Sequence, residues 1–217
     1  MQTKTYQLTN EAGLEVTFRD IRIEEAPILA SWMRSTEGTQ FLGQGAFCQS
    51  QESEVEWIQK KYKSTDSIMI GVESEGNLVG TWGAHEEHYA RWGTGSMLGN
   101  KEVRGKGIGS LAHMFRTWYL FTQVPMPIFC LESTVLWDNN LKIQNWGSYK
   151  ALYKSRYRNV GYSQQKYHFD GKWIDCMHLE CHNPKFVDVN RLPEELKEGV
   201  EITIQILNWV SERIERV

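Results

Sequence analysis

From residue 104 to residue 109 the chain reads Arg-Gly-Lys-Gly-Ile-Gly, three glycines and two cations at a point where a strand gives way to a helix. Thr94 to Leu98 reads as a short strand. Ser110 to Phe121 carries Leu111, Met114, Phe115, Trp118 and Tyr119 at helical spacing. A glycine-rich turn of this kind leaves several main-chain N–H groups unpaired, and the helix dipole adds about half a positive charge at that end. Glycines at alternate positions let an anion approach the main chain closely. The turn therefore predicts a phosphate site built from Arg104, Gly105, Lys106, Gly107, Ile108, Gly109 and Ser110. A turn that served geometry alone would have little use for Arg104 and Lys106.

Three glycine-rich loops compete for this stretch. A P-loop needs four residues between its first glycine and a Gly-Lys-Ser/Thr, which Gly107-Ile108-Gly109-Ser110 does not supply. A dinucleotide fingerprint needs Gly-x-Gly-x-x-Gly with an acid about 20 residues later. Here the spacing is Gly-x-Gly-x-Gly, and Val124-Pro125-Met126 offers no acid. The third pattern, Arg/Gln-x-x-Gly-x-Gly/Ala, is the acyl-CoA loop of the GNAT superfamily of N-acetyltransferases, and residues 104–109 match it at every defined position.

From about Leu14 to Cys181 the chain resembles that superfamily, most closely its ribosomal-protein alanine and spermidine acetyltransferase branches. Phe18-Arg19-Asp20-Ile21 and the segment from Glu24 to Trp32 resemble the opening strand and first helix. Asn77 to Gly83 resembles the hairpin strand on the cofactor side. Tyr157-Arg158-Asn159-Val160-Gly161-Tyr162 is similar to the Tyr-x-x-Leu-Gly-Phe that closes the fourth helix, and Phe169 to Asp175 resembles the last hairpin.

The chain's 217 residues suffice for one domain with a substantial core, or a domain plus an appendage. Hydrophobic content of 41% and charged content of 24% are those of a soluble globular protein. No apolar run approaches the roughly 20 residues of a membrane span, and the residues from Met1 to Tyr6 lack a signal peptide's apolar core. Scattered Cys48, Cys130, Cys176 and Cys181 read as reduced thiols of a cytoplasmic protein.

A net charge of −3 exerts no global pull on nucleic acid or anionic lipid. The segment from Lys142 to Lys172, however, carries seven cations against the single acid Asp170, interleaved with Trp146, Tyr149, Tyr153, Tyr157, Tyr162, Tyr167 and Phe169. Such a segment is compatible with base stacking and phosphate contact. More often such a segment is a solvated helix face over aromatic core.

Along the chain, Leu14–Phe18 alternates as a strand, Glu24–Arg34 and Ser50–Tyr62 read as helices, and Gly38–Gln49 as a loop able to line a substrate site. Ser67–Glu73 and Leu78–Ala84 form a hairpin across Glu75-Gly76-Asn77, with a third strand from Trp92 to Leu98. Pro127–Val135 is an apolar central strand, and Asn139–Arg158 reads as helix. Tyr162–Phe169 and Lys172–Cys181 pair across Asp170-Gly171. Pro193–Val217 is an amphipathic helix. This order predicts a mixed α/β protein with a GNAT fold: a splayed, mixed sheet of about seven strands flanked by helices. Residues 1–182 form the acyltransferase domain, and 183–217 a helical extension packed on it or on a second copy, as in a homodimer.

The resemblance implies direct transfer of acetyl from acetyl-CoA to an amine in a ternary complex. It places Leu98 and Gly99 beside the thioester, where a backbone N–H polarises the carbonyl, and Tyr157, four residues before Gly161, as the acid that protonates the thiolate. Tyr153, one turn earlier, is the substitute. The family's strand-four glutamate has no equivalent in Tyr89-Ala90-Arg91-Trp92, which leaves Glu86, Glu87 and His88, with Glu87 the chosen base. The family's asparagine lies about 11 residues before Gly-Phe. Here Asn139, assigned to the cofactor, and Asn140 stand 22 and 21 before Gly161, which implies an insertion containing Trp146 and Tyr149. No metal is expected: His85-Glu86-Glu87-His88 is one residue short of a zinc motif. Strand alternation also divides Cys176 and His178 from Cys181. The function read from these residues is N-acetylation of a small-molecule amine or a protein N-terminus. A GNAT-fold modifier of nucleic-acid bases is the first alternative, and a non-catalytic CoA-binding domain the second.

Overall fold

Among the described residues, ten strands and six helices follow in the order β1 (Tyr6–Thr9), β2 (Glu15–Arg19), α1 (Ala26–Arg34), α2 (Thr36–Thr39), α3 (Gln51–Lys63), β3 (Ser67–Ser74), β4 (Asn77–His88), β5 (Arg91–Leu98), α4 (Ile108–Thr122), β6 (Cys130–Asp138), β7 (Ile143–Gln144), α5 (Trp146–Lys154), β8 (Arg158–Phe169), β9 (Lys172–His182), α6 (Glu194–Arg213) and β10 (Glu215–Arg216). This computed structural model describes residues 4–10, 12–39, 41–42, 50–169 and 171–217. Most of the expected substrate-lining loop Gly38–Gln49 lies outside the described residues, as do Cys48 and Asp170.

The strands form one mixed sheet in the order β10-β1-β2-β3-β4-β5-β6-β9-β8, with β7 attached to β6. Every pairing is antiparallel except β5 with β6, the two strands joined through α4. Neighbouring residues of one strand serve opposite faces. Ile70 and Val79 join the main core with Phe115, Trp118 and Leu120 of α4 and Ile206 and Val210 of α6. Met69 and Leu78 pack with Leu29 of α1 and Ile58 of α3 on the other face. Phe115 anchors the larger core, stacked on Phe18 at 3.9 Å between centroids and within 6.0 Å of Tyr6 and Trp82. None of the described helices is long and apolar enough to cross a membrane.

Three strands exceed the seven expected, because β1, β7 and β10 are too short to show a period. Tyr6 and Leu8 of β1 are nonetheless buried, alternating with Gln7 and Thr9. The expected helix from Asn139 to Arg158 is a larger correction. Asp138 Oδ1 accepts the Leu141 N–H at 2.9 Å, Lys142 takes a left-handed φ of 55°, and β7 folds back on Trp137 and Asp138. Asn and Asp side chains bond neighbouring main chain and so compete with helix. Only nine residues, Trp146–Lys154, remain helical.

Ser50 caps α3: its Oγ accepts the Ser53 N–H at 3.1 Å, while Ser53 Oγ accepts the Ser50 N–H at 3.1 Å. Ser50→Ala should therefore cost about 1 kcal/mol of unfolding free energy in a urea titration.

Candidate active site

β5 and β6 pair only from Arg91–Gly93 to Cys130–Glu132. At the apex Thr94 Oγ1 donates to the Glu132 carbonyl at 2.8 Å and Ser133 Oγ to the Thr94 carbonyl at 3.4 Å. Beyond it the strands part and β5 has no β6 partner from Thr94 onward. The fork opens into a cleft of about 1470 Å³ that runs from the glycine turn, past β5, to the ends of β4, β8 and β9.

At the turn, the Arg104 and Lys106 N–H groups are bonded to Lys101 and Val103 carbonyls. Gly105 and Gly107 take left-handed φ values of 81° and 87°, which glycine adopts without strain. The first helical bond of α4 runs from Leu111 N–H to the Gly107 carbonyl, so the amides of Ile108, Gly109 and Ser110 form the unbonded first turn. Arg104, Gly105, Gly107, Gly109 and Ser110 line the cleft. The Ile108 side chain is core and Lys106 is exposed beside the cleft wall. Arg104 reaches back, its Nη2 donating to the Leu98 carbonyl at 3.0 Å.

The N-terminus of α5 lines the same cleft. Its cap is Asn145, whose Oδ1 accepts the Ser148 N–H at 3.1 Å. Ser155, at the other end of α5, donates to the Ser110 carbonyl at 3.2 Å, tying α5 to α4. The helix closes with Arg156 at a φ of 72°, Arg156 N–H on the Tyr153 carbonyl and Tyr157 N–H on the Leu152 carbonyl. This is a Schellman closure with arginine in the left-handed position that glycine usually fills. Asn145 precedes Arg156 by 11 residues, the spacing sought in the sequence. Arg156-Tyr157, not Gly161-Tyr162, ends the helix, so the position four residues before its close is Leu152 and the spacing no longer singles out Tyr157, while Gly161 lies at a bulge within β8. Asn145 was hidden because an arginine occupies the glycine position that would have revealed its spacing. Asn139 lies in the β6–β7 turn, outside the cleft, with its Oδ1 on Gln144 Nε2 at 2.6 Å.

The remaining expected residues divide between the wall and the interior. Leu98 lines the cleft, whereas Gly99 packs beneath Trp32, where a Cβ would meet that ring at 1.9 Å. Glu87 lines the far end, its carboxylate over Gly93 and 3.4 Å from His85 Nε2. Tyr157 is fully buried behind the wall. Burial raises the pKa of its phenol above the usual tyrosine range, against the opposing effect of Arg116, whose Nη2 donates to the hydroxyl at 2.9 Å. Tyr153 is exposed, with the Arg158 guanidinium 4.3 Å from its ring.

Two further histidines line the cleft: His113, which the sequence did not single out, and His178, which it offered only as a metal ligand. His113, on α4, is buried, with Nε2 3.3 Å from Ser96 Oγ and Nδ1 unpartnered; burial and then Arg116 hold it well below the usual histidine range. His178, on β9, has Nε2 2.7 Å from Ser163 Oγ. Burial, followed by Lys166, keeps it below its ordinary pKa. Glu132 and Glu180 stand near it on the wall, both bonded to Arg91. The hydrophobic spacing of α4 and the alternation of β9 place both rings, but neither pattern marks a polar role.

Among the described residues one group has the compactness of a metal site, Cys130, Glu180 and His182. Burial pushes the Cys130 thiol far up and Arg91 holds Glu180, a donor set that does not suit a cation. Cys176, His178 and Cys181 do not converge: Cys176 Sγ lies 3.6 Å from His178, while Cys181 faces Thr203 of α6.

No protein-family model matches this sequence, and no curated protein does so. Solved structures do match. A spermidine N-acetyltransferase from Vibrio cholerae, in complex with CoA and spermine, superposes with a TM-score of 0.68 over 80% of this chain and 98% of its own, at 14% identity. RimJ from Mycobacterium smegmatis, in complex with CoA-disulfide, covers 98% of this chain and 97% of its own with a TM-score of 0.66 and 17% identity. A ribosomal-protein-alanine N-acetyltransferase from Brucella melitensis gives 0.63 over 76% and 98%, at 14% identity. These neighbours include the spermidine and ribosomal-protein branches that the sequence resembles, and the chain has the GNAT fold.

Proposed function

We propose that the chain is an acetyl-CoA-dependent N-acetyltransferase acting on a cationic amine. One observation carries this reading: the unbonded amides of the glycine turn and the unpaired edge of β5 open into the same cleft. The first suits a diphosphate; the second suits an extended, amide-bearing arm that pairs with a free strand edge. Two neighbours of the same fold hold CoA or its disulfide, which supports CoA as the occupant. Bound acetyl-CoA supplies an activated acyl group.

The chain's own residues then divide the work. The amides of Ile108, Gly109 and Ser110, with Arg104, hold the diphosphate, and Lys150 and Lys154 of α5 add positive charge on the facing wall. This accounts for part of the basic segment without invoking nucleic acid. Its rings Trp146 and Tyr149 pack on Trp137 of β6, at 4.6 and 5.2 Å between centroids. At the other end Glu87, Glu132 and Glu180 favour a cation and oppose a polyphosphate acceptor. His178 stands among these acids, neutral at pH 7 because its pKa is depressed, and able to take the proton that the attacking nitrogen gives up. Glu87 serves to draw the ammonium in. A reducing, cytoplasmic setting fits the free thiols Cys130, Cys176 and Cys181.

Mixing the protein with acetyl-CoA and a panel of polyamines and N-terminal peptides, with free thiol as the readout, tests the reading. Thiol release with none of them would refute it. His178→Gln should lower kcat by about 10²-fold or more while leaving acetyl-CoA affinity within twofold. Loss of the low-pH limb of the kcat profile in that variant identifies His178 as the group that must be neutral. An unaltered limb assigns the base elsewhere.

A further inference from the structure

Arg116 lies one layer behind the fork of the sheet and is fully buried. Its Nη2 donates to the Tyr157 hydroxyl at 2.9 Å, its Nη1 to the Gly95 carbonyl at 3.5 Å, and its guanidinium carbon lies 5.3 Å from the Tyr157 ring centroid. Nε has no partner, and among the described residues no carboxylate pairs with it. A buried guanidinium without an anion is among the costliest arrangements a fold can hold.

Among the described residues nothing packed around it offsets the charge. On α4, His113 is held neutral by burial and by Arg116 itself. Between α5 and β8, Tyr157 is held protonated chiefly by burial. On β9, burial pushes the Cys181 thiol up to about 11. Thr94 and Gly95 of β5 carry no charge. On the cleft side Gly95 is exposed, and a Cβ there would meet nothing within 4 Å. The cation thus faces the reaction cleft through a strip of strand without a side chain.

We infer that Arg116 stabilises the negative charge that develops on the sulfur leaving group of an acyl-CoA lying along β5, acting through the Gly95–Tyr157 wall. This rests on the acetyltransferase reading and deepens it. In the transfer, the acceptor nitrogen bonds to the acyl carbon, the carbon–sulfur bond breaks and its electron pair goes to sulfur. The proton lost by nitrogen passes to His178. Arg116 stabilises the resulting thiolate electrostatically, so the buried Tyr157 keeps its proton and serves to position the guanidinium. Arg116 is a positioning residue in this scheme, since it reaches the sulfur only through its neighbours.

The experiment titrates the thiol of CoA bound to the full chain, by following a ¹³C-labelled methylene next to the sulfur in the wild type, Arg116→Met and Arg116→Lys. A free thiol titrates near 8.5. In the wild type the bound thiol should titrate at least about one pH unit lower, a tenfold shift toward thiolate. Arg116→Met should return it to the free value or above, and Arg116→Lys should keep part of the shift. The kcat of Arg116→Met should fall about tenfold or more with KM for acetyl-CoA unchanged. A wild-type thiol titrating at or above the free value overturns the inference without needing any variant. An equal shift in Arg116→Met overturns it too, and both results leave the acetyltransferase reading standing. If CoA fails to bind the wild type, both fall together.

Discussion

Gly107→Asp should weaken CoA binding at least about 100-fold, measured by calorimetry, while the protein stays folded. Gly107 takes a φ of 87° immediately before α4, and a Cβ there would meet only Asn10 Nδ2, at 3.4 Å. Space is therefore no obstacle to a side chain. The left-handed backbone costs an L-residue about 1–2 kcal/mol, less for aspartate, which visits that region more readily than most. An anion is also favourable at a helix N-terminus, worth about 0.3–1 kcal/mol. Folding should change little in consequence. Binding should change greatly, because the new carboxylate lies against the Ile108, Gly109 and Ser110 amides that the diphosphate needs. It repels that diphosphate and competes for the same N–H groups. Gly105→Ala is the control: it strains a left-handed residue but adds no charge, so a loss confined to Gly107→Asp marks electrostatics. Unchanged CoA affinity in Gly107→Asp would remove the turn from the site.

The turn was legible because its chemistry is local. Glycines, cations and the onset of helical spacing fall within 20 residues, so a short window contains the whole device. Strands β2 to β5, β8 and β9 were legible for a similar reason, since alternation and hairpin turns announce themselves in sequence. The opposite wall was not. Whether Asn139 or Asn145 caps α5 depends on where the helix ends, and the glycine that would mark its end is replaced by Arg156. Gly161, the visible glycine, misled because a β-bulge also tolerates one. Arg116 was unreadable for a different reason. On a helix rich in apolar residues, a lone arginine normally snorkels to solvent. Only the packing of β5, β9 and the α5–β8 turn over it shows that this one cannot. The same holds for His178, whose proposed role rests on acids of β4 and β6 that are distant in sequence.

Glu25→Ala should destabilise the protein by about 3–5 kcal/mol. Arg19 leads from β2 into the turn before α1 and points inward. Its Nη1 and Nη2 donate to the two Glu25 oxygens at 2.9 and 2.6 Å, and its Nε donates to Glu73 Oε2 on β3 at 2.6 Å. Glu25 Oε2 also accepts the Arg22 N–H at 2.8 Å. Both side chains of the bidentate pair are about nine-tenths buried or more. Removing the carboxylate leaves a guanidinium with half its partners and a main-chain donor with none, and at this chain length the loss corresponds to a melting point lower by about 10 °C. Acid should act on the same contact. Burial alone would raise the Glu25 pKa, but the Arg19 bonds and the Arg22 N–H outweigh it and leave the carboxyl below its ordinary value. A carboxylate depressed in the folded state contributes fully above the unfolded value of about 4.3, and that contribution fades as pH falls through the lower folded value. The stability gap between wild type and Glu25→Ala, followed by urea unfolding, should thus be constant from pH 7 to 5 and narrow below about pH 4. A gap that stays constant into acid would mean that the cost comes from packing around α1 and not from the ion pair.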